Sequence, residues 1–374
     1  MRTAAAVRSL TVEEAEQHRR VRLRGVVTFF DAGFYSHFVQ DDTAGIYLAT
    51  STNLPPLVQG QLVEVEGVTG AGEFAPVVLP SRVKVLGEAP LPAAQLASVE
   101  ELMGGQKDSQ FVEVRGLVRS VQLQEALQLY LIEITTGGAR LSVYARRLPV
   151  ARPEEMLDST VRVRGVCETK FNHRRQLFAT RLMVPRLEDL VVEVPGPEDP
   201  FVAAPRSIGS LLQFKLQESY GHRVKVAGTV IYFEAGRLLV LQDGDQGVEV
   251  QTQGREPLAP GDRVEALGFV SQGDYTPLLQ DAIYRKMSAG QPLQPSRVTP
   301  DEALKGNRDC QLIQVAARLL DRAVHGTERY LVLQEDGFIF HAYLNQTEGL
   351  DAFAGLENGS RVSVTGVCQI DPGE

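Results

Sequence analysis

Two short segments of the sequence combine aromatic and basic side chains that could hold a planar or anionic ligand. Residues 30–37 contain Phe34, Tyr35 and His37, and residues 170–175 read Lys-Phe-Asn-His-Arg-Arg. Aromatic rings stack on bases or sugars, and Lys and Arg neutralise phosphate, so both segments predict binding rather than covalent chemistry. Together with two further loop aromatics, the candidate ligand-binding residues are Phe34, Tyr35, His37, Phe74, Lys170, Phe171, His173, Arg174, Arg175 and Tyr275.

Each of these segments also has a purely structural interpretation. Phe74 and Pro76 recur 201 positions later as Tyr275 and Pro277. A residue that repeats together with its loop is explained by packing at a barrel mouth or against an adjacent barrel. The basic loop, in turn, could be a solvated segment that pairs with an acidic neighbour. The sequence leaves both interpretations open beside the binding one.

No catalytic or metal-binding pattern accompanies the candidate residues. The six histidines are never four positions apart and never adjacent to a cysteine, and the three cysteines contain no CxxC spacing. These spacings argue against a zinc site and against a disulfide framework. The nucleophile pattern GxSxG and the phosphate-loop pattern GxxxxGK[ST] are both missing from the sequence. We therefore expect no enzyme activity, no catalytic residue, no metal and no cofactor.

The charge of the chain bears on its partners. The 374 residues include 38 Lys plus Arg and 47 Asp plus Glu, a net charge of −9. Nucleic-acid binders gain most of their affinity from phosphate neutralisation and usually carry the opposite sign, so nucleic acid is not the expected partner. Residues 107–190 are an exception, because 14 basic residues there outnumber 10 acidic ones. This local excess keeps an anion or a nucleic-acid strand open as a ligand.

The sequence contains an internal repeat of about 200 residues. Residues 21–30 recur at 224–233, an offset of 203, and residues 160–167 recur at 361–368, an offset of 201. Residues 111–118 have the same form as residues 21–27, so a second repeat lies between the copies of the first. Repeats of this kind mark an array of similar folding units. The chain is therefore a doubled pair, A-B-A′-B′.

Within each repeat the pattern is that of a small β-barrel. Apolar residues alternate with Arg22 and Arg24 in residues 21–29, as expected of a half-buried strand. Strands at matched positions carry a central glycine, which permits the sharp bend that a five-stranded barrel needs. Seven of eight such positions hold glycine: Gly25, Gly67, Gly116, Gly165, Gly228, Gly268 and Gly366. This organisation resembles the oligonucleotide/oligosaccharide-binding (OB) barrel.

The predicted fold is all-β, with four tandem OB-like five-stranded barrels in two repeated pairs, joined by short helices. Three of these helices begin with a capping box, at Thr11, Ser98 and Thr299. The predicted domains are residues 1–97, 98–206, 207–297 and 298–374. Only eight residues follow Gly366. The last barrel therefore lacks its fifth strand or receives it otherwise, and we expect the chain to be a fragment of something longer.

Three motifs carry a resemblance to a known family. Residues 21–28, 38–47 and 65–77 resemble the N-terminal sensor region of bacterial two-component histidine kinases, which contains tandem OB-like units. The resemblance implies a periplasmic or other extracytoplasmic location, followed by a membrane helix and a kinase core outside this sequence. It also implies a homodimer formed through the parent kinase. It supplies no ligand-binding residues.

The resemblance and the missing catalytic motifs together predict a non-catalytic sensor region. Its partner would be a small molecule or a protein, bound at the barrel loops, and its contact with the membrane would lie outside this chain. Two alternatives remain. One is a nucleic-acid-binding OB array, favoured by the basic second barrel. The other is a structural spacer of a surface protein.

Overall fold

The computed structural model describes residues 1–49, 55–172, 174, 177–202, 204–211, 223–325, 328–344, 353 and 355–370. The chain forms two compact units, an N-terminal unit Met1–Glu198 and a C-terminal unit Asp199–Glu374. Each unit contains two β-sheets, which we number barrels 1 to 4 in chain order. The fold is all-β with OB-like barrels, as predicted. The boundaries at 97, 206 and 297 remain predictions.

Barrel 1 is a sheet that curls until its edges meet. Its strand order is β3-β2-β1-β4-β5. Leu48, just after β3, forms a parallel bridge with Val78 of β5, and Ala49 N donates to Val78 O at 2.9 Å. The strands are β1 (Arg20–Asp31), β2 (Ser36–Gln40), β3 (Gly45–Tyr47), β4 (Gln61–Gly70) and β5 (Val77–Glu88).

Barrel 2 is closed by strand pairing in the order β7-β8-β9-β11-β10 and back to β7. The β9–β11 pair is parallel, and the two outer strands β6 and β12 add to β7 and β10. The strands are β6 (Gln95–Leu96), β7 (Phe111–Gln124), β8 (Leu129–Thr136), β9 (Ala139–Ala145), β10 (Thr160–Phe171), β11 (Leu177–Met183) and β12 (Leu190–Val194).

Barrel 3 repeats the closed order and barrel 4 repeats most of it. Barrel 3 contains β13 (Val224–Glu234), β14 (Leu238–Asp243), β15 (Gln246–Thr252), β16 (Arg263–Ser271) and β17 (Leu278–Ser288). Barrel 4 contains β18 (Ser296–Arg297), β19 (Leu312–His325), β20 (Glu328–Glu335), β21 (Phe338–Leu344) and β22 (Arg361–Val367). In barrel 4, β22 pairs with β19, and no strand among the described residues joins β22 to β21.

Short helices precede the barrels. They are α1 (Ala4–Arg8), α2 (Val12–Ala15), α3 (Val99–Met103), α4 (Ile208–Leu211) and α5 (Pro300–Leu304). The predicted capping boxes at Thr11, Ser98 and Thr299 are all formed, because each hydroxyl and the glutamate three residues on satisfy each other's backbone N–H groups. Within the described part of the chain, no helix is both long and apolar enough to cross a membrane.

The strand glycines allow two backbones to approach closely. A Cβ atom added at Gly67 would lie 2.2 Å from the carbonyl oxygen of Leu79 in β5. One added at Gly165 would lie 2.8 Å from the carbonyl oxygen of Met183 in β11. Both separations are too short for a side chain. The glycines are therefore required where the fifth strand of a barrel passes its fourth, and at Gly67 this contact lies beside the register shift that bends the sheet.

Two glutamine side chains, one from each barrel, connect barrels 1 and 2 by hydrogen bonds to backbone N–H groups of the other barrel. The Gln40 side-chain oxygen accepts from the Phe111 backbone N–H at 2.9 Å, and the Gln110 side-chain oxygen accepts from Gly45 N–H at 3.1 Å. Gly45 packs so tightly that an added Cβ would lie 1.8 Å from the Ser109 carbonyl oxygen. The contact therefore requires a glycine at this position.

The C-terminal unit repeats this junction with equivalent residues. The Gln242 side-chain oxygen accepts from Leu312 N–H at 2.9 Å. A Cβ added at Gly247 would lie 1.8 Å from the Cys310 carbonyl oxygen. The repeated Gln and Gly of each A barrel are thus the residues that fix it to the following B barrel.

We expect Gly45→Ala to destabilise the N-terminal unit by at least about 1–3 kcal/mol, because its methyl group would overlap a backbone carbonyl. Chemical denaturation monitored by circular dichroism measures the loss. Gly33→Ala is the matched control, since its Cβ would meet only the Asp31 side chain at 3.5 Å. Equal unfolding midpoints for the two variants and the wild type would contradict the close contact of Gly45 with the Ser109 carbonyl oxygen.

Candidate functional site

The loop between β1 and β2 of barrel 1 is docked on barrel 2 through a charged network. Ser36 Oγ donates to Glu168 at 2.9 Å, and Arg181 donates two hydrogen bonds to the same carboxylate at 3.0 and 2.8 Å. The Arg181 guanidinium also lies 4.1 Å from the ring centre of Phe34 and 5.3 Å from that of Tyr144. Phe34 is therefore held between the barrels by a cation–π contact and is only partly accessible to a ligand.

Basic residues surround this docked loop. Lys170 Nζ lies 2.7 Å from Glu168, so the carboxylate that holds the loop also anchors the start of the basic segment. Arg146 of barrel 2 pairs with Asp31 at the end of β1, and its side chain stays 60% exposed. Arg174 is exposed, and its backbone N–H donates to Asn172 Oδ1 at 2.9 Å. Lys170 and Arg146 therefore lie at the junction of the two barrels, and Arg174 follows Lys170 in the β10–β11 loop.

Part of the predicted basic segment lies outside the described residues. His173 and Arg175 are among these, and the side chain of Phe171, at the end of β10, is also outside them. Their assignment to a binding surface remains a prediction.

The β4–β5 loop of barrel 1 and the start of β11 in barrel 2 meet at one glycine. A Cβ added at Gly105, in the turn after α3, would lie 3.3 Å from the Phe74 ring and 3.8 Å from Leu177. Gly105 has a φ of +72°, so the turn itself also favours glycine. The next residue after Leu177 is Phe178, which is 66% exposed. The turn therefore contacts both the β4–β5 loop of barrel 1 and the first residue of β11 in barrel 2.

Three aromatic side chains remain open to solvent around this junction. Tyr35 is 66% exposed at the tip of the β1–β2 loop. The Tyr47 hydroxyl donates a hydrogen bond to the Tyr35 carbonyl oxygen at 2.9 Å. Phe178 is equally exposed, and Phe74 is 39% exposed. Single exposed rings are common on proteins, whereas several exposed rings on one surface are typical of an interaction site. We define the junction surface as Tyr35, Phe74, Arg146, Lys170, Arg174 and Phe178.

His37 does not reach the junction surface. Its ring is buried and stacks on Phe30 at 4.6 Å and, more distantly, on Tyr47 at 6.2 Å between ring centres. Burial lowers the pKa of His37, while the Leu48 backbone and the charges of Asp31 and Glu168 act in the opposite direction. The structure places this candidate residue beneath the loop.

Tyr275 belongs to barrel 3 and repeats the position of Phe74. A Cβ added at Gly306 would lie 1.6 Å from the Tyr275 hydroxyl, as Gly105 lies against Phe74 in barrel 1. Tyr275 is 48% exposed. Both aromatic rings thus pack on the turn that follows a spacer helix, and both leave part of the ring in solvent.

Reactive groups do not cluster near these residues. No group of three His, Cys, Asp or Glu side chains within the described ranges could hold a metal ion. Cys167, Cys310 and Cys368 are buried and free. Burial raises the pKa of Cys310 to about 12 and that of Cys368 to about 11, so both thiols stay protonated at neutral pH.

Several residues of the junction surface carry little signal in the sequence. Phe178 and Arg146 sit within ordinary strand and loop patterns, and Gly105 follows a short helix like many C-terminal glycines. The one available sequence signal is that Phe178 lies three residues after the last residue of the basic segment, Arg175. The contacts of Arg181 with Phe34 join residues 147 positions apart and could not be read from spacing.

Comparison with known proteins finds similarity only among solved structures. No family model matches the chain, and no curated protein matches it. A murine DNA-binding protein bound to double-stranded DNA is 15% identical with a TM-score of 0.24, covering 49% of this chain and 98% of its own. A replication protein A heterotrimer bound to single-stranded DNA is 10% identical with a TM-score of 0.26, covering 62% and 74%.

A third match has the same character. The Ifi202 HINa domain in complex with 20-bp double-stranded DNA is 9% identical with a TM-score of 0.21, covering 47% of this chain and 96% of its own. Similarity at this level is too low to support a statement about what this chain binds. The function proposed below therefore rests on the junction surface.

The predicted resemblance to sensor regions of histidine kinases is wrong. Neither a family model nor a curated protein supports it, and these matched structures are of DNA-binding proteins. Several predictions depended on this resemblance alone and are withdrawn with it. They are the sensor function, the two-component assignment, the periplasmic location and the parent kinase. The expectation that nucleic acid is not a partner is also corrected, because it relied on net charge, which does not describe a local surface.

The burial of His37 predicts a pH dependence of stability. Its pKa is lower in the folded protein than the value of about 6.5 in the unfolded chain. Below about pH 6.5 the unfolded chain binds the proton and the folded protein does not, so the free energy of unfolding falls. Above that pH the histidine contributes no pH dependence.

His37→Phe keeps an aromatic ring in the stack and removes the titrating group. We expect the wild type to lose stability relative to this variant as the pH falls from about 6.5 to 5, with a constant difference from about pH 7 to 8. Urea denaturation of both proteins across this range measures the difference. A difference that stays constant below about pH 6.5 would show that His37 titrates alike in the two states.

Proposed function

We propose that this chain binds single-stranded nucleic acid through the junction surface of its N-terminal unit, without catalysing a reaction. The observation that supports this most directly is that barrels 1 and 2 meet at the β1–β2 loop and at Gly105, and that exposed rings and cationic side chains lie near these contacts. OB barrels use the loops at this end of the sheet, together with the adjoining strands, to hold oligonucleotides. A single strand can place its bases on rings because they are not paired.

The chemistry of the surface divides between stacking and charge. Tyr35 and Phe178 offer ring faces on which bases could stack, a contact worth about 1–3 kcal/mol per base and tolerant of sequence. Arg146, Lys170 and Arg174 offer positive charge to the phosphates. Two of these cations also have carboxylate partners, Asp31 and Glu168, so their net field is moderate. We therefore expect binding that depends on stacking as well as on charge.

The C-terminal unit is a weaker candidate for the same ligand. The repeat aligns Gly236 and Arg237 with Phe34 and Tyr35, so barrel 3 has no aromatic tip on its first loop. Residues 199–374 contain 16 basic and 23 acidic side chains, against 22 and 24 in residues 1–198. The more acidic composition opposes phosphate binding. The proposal therefore assigns the ligand to barrels 1 and 2.

The first test is the salt dependence of binding. The full chain should bind a fluorescein-labelled oligothymidine of about 30 nucleotides, a length that spans two OB barrels. The logarithm of affinity should fall linearly with the logarithm of salt concentration. Arg174→Ala should reduce the slope by about 0.7 if it removes one phosphate contact. Fluorescence anisotropy between about 50 and 200 mM salt measures both quantities.

The control is Arg237→Ala, an arginine of the β13–β14 loop of barrel 3 whose side chain is 67% exposed. This variant should leave the affinity and the slope unchanged. Failure of the wild type to bind at about 50 mM salt would refute the proposal and would leave a structural spacer as the interpretation.

The second test addresses stacking. Tyr35→Ala and Phe178→Ala should each weaken binding by about 1–3 kcal/mol, roughly 5- to 150-fold, with little loss of stability because both rings are two-thirds exposed. Tyr343→Ala is the control, a 58% exposed ring in barrel 4. Anisotropy titrations give the affinities, and thermal melts confirm the fold. Equal losses in all three variants would contradict a local stacking surface.

A further inference from the structure

The exposed ring of Tyr35 belongs to a residue whose backbone conformation is unfavourable for tyrosine. Tyr35 is the last of the four residues between β1 and β2, and its φ of +51° lies in the left-handed region. In this region the Cβ atom approaches the following carbonyl oxygen, so glycine or asparagine is preferred. A large aromatic side chain at this position therefore needs an explanation beyond the formation of a turn.

The first hairpins of the other barrels show which part of this arrangement is general. In barrel 2 the last of the four residues between β7 and β8 is Gln128, which has a φ of +52°. In barrel 3 the loop has three residues, and Gly236 has a φ of +77°. The left-handed residue is thus a property of the hairpin. The exposed ring at that residue is specific to barrel 1.

Tyr47 holds the tip of the loop from the neighbouring strand. Its hydroxyl donates a hydrogen bond to the Tyr35 carbonyl oxygen at 2.9 Å. Tyr47 ends β3, two residues after Gly45, whose close contact with the backbone of barrel 2 fixes this strand. The Tyr47 ring is half-buried and lies 5.4 Å from that of Phe38 between ring centres. Packing therefore fixes the ring, and its hydroxyl is a fixed donor to the loop tip.

The residues on both sides of Tyr35 are held by other partners. The Phe34 backbone N–H donates to Asp31 Oδ1 at 3.1 Å, and Ser36 Oγ donates to Glu168 at 2.9 Å. These bonds fix the base of the loop on barrel 1 and on barrel 2. The Tyr47 bond is made to Tyr35 itself, so it acts on the residue that displays the ring.

The two tyrosines occur together in the repeat. Tyr47 pairs with Phe38, and at the equivalent register of barrel 3 Glu249 pairs with Val240. An ionised glutamate cannot donate a hydrogen bond, so barrel 3 has no donor of this kind at that position. Its first loop also has no aromatic residue. The hairpin therefore forms without the tyrosine donor, which accompanies the ring of Tyr35.

We propose that Tyr47 is a positioning residue of the nucleic-acid site, whose hydroxyl holds the Tyr35 backbone so that the ring is preset to stack on a base. This role rests on the proposed function. A ring on an unrestrained loop would lose conformational freedom when it stacks, whereas a held ring has lost that freedom during folding. Stacking on the preset ring requires an unpaired base and tolerates any sequence.

The first test removes the Tyr47 hydroxyl alone. Tyr47→Phe keeps the packed ring, and it should weaken oligothymidine binding by about 2- to 10-fold, the effect of one hydrogen bond. The salt dependence should not change, because no charge is removed. Tyr284→Phe is the matched control, since the Tyr284 hydroxyl donates to the Glu256 carbonyl oxygen at 2.6 Å in barrel 3. This control should bind like the wild type.

A double-mutant cycle asks whether the Tyr47 hydroxyl acts through the ring of Tyr35. Affinities are measured for the wild type, Tyr47→Phe, Tyr35→Ala and the double variant. Once the ring is absent, removal of the hydroxyl should cause no further loss. A purely structural role of Tyr47 would instead lower the affinity to the same extent with and without the ring.

A fluorescence measurement tests the positioning without nucleic acid. The chain contains no tryptophan, so Tyr35→Trp places a single indole at the loop tip. Adding Tyr47→Phe should increase the amplitude of the fast decay in time-resolved anisotropy, because the loop tip loses its hydrogen bond. Oligothymidine should reduce this fast decay in both proteins and quench the indole emission, as expected when a base stacks on the ring.

Three results would each overturn the positioning role. They are wild-type affinity of Tyr47→Phe, equal losses on the two sides of the cycle, and a fast anisotropy decay that Tyr47→Phe does not change. Oligothymidine binding by the wild type together with any of these results overturns this role and leaves the proposed function intact. Absence of binding by the wild type refutes the proposed function, and the positioning role with it.

Discussion

The close backbone contact between consecutive barrels is the constraint on which the functional surface depends. Gly45 rests against the Ser109 carbonyl, and the Gln40 amide caps the first long strand of barrel 2. Two small barrels joined only by a linker would be free to rotate, and loops on different barrels would then share no fixed surface. Because a buried N–H group must find an acceptor, the glutamine and glycine together allow one relative placement of the two barrels. The surface around Glu168 exists because of that placement.

The junction surface contains residues from both barrels. Some side chains of the joining loops pack between the barrels, and others are exposed to solvent. Glu168 accepts hydrogen bonds from Ser36 and Arg181 and pairs with Lys170, which holds the β1–β2 loop of barrel 1 on barrel 2. Phe34 is the part of that loop that packs, and its neighbour Tyr35 is the part that remains free to contact a ligand. Supporting contacts and exposed rings therefore come from adjacent residues. A preorganised surface of this kind loses little conformational entropy on binding.

Most of the fold could be predicted from the sequence, and most of the site could not. Alternating apolar residues, matched glycines and capping boxes are local signals, and they predict the barrels and spacer helices correctly. The meeting of Phe74 and Leu177 at Gly105 joins residues about 100 positions apart, and no local pattern encodes it. The repeated Gln and Gly were visible as a motif, but their contact with the next barrel was not. The family resemblance was wrong because it relied on strand sequence motifs. Such motifs reflect the OB fold and say little about function.

The two units show which features of the repeat serve the architecture. Gln242 and Gly247 make the same contacts as Gln40 and Gly45, so the connection between barrels is present in both units. The loop that displays Tyr35 has no aromatic counterpart in barrel 3, which shows that ring exposure is not needed to build the junction. Tyr35 is therefore not required by the architecture, and a ring of this kind that shares a surface with other exposed rings is typical of an interaction site.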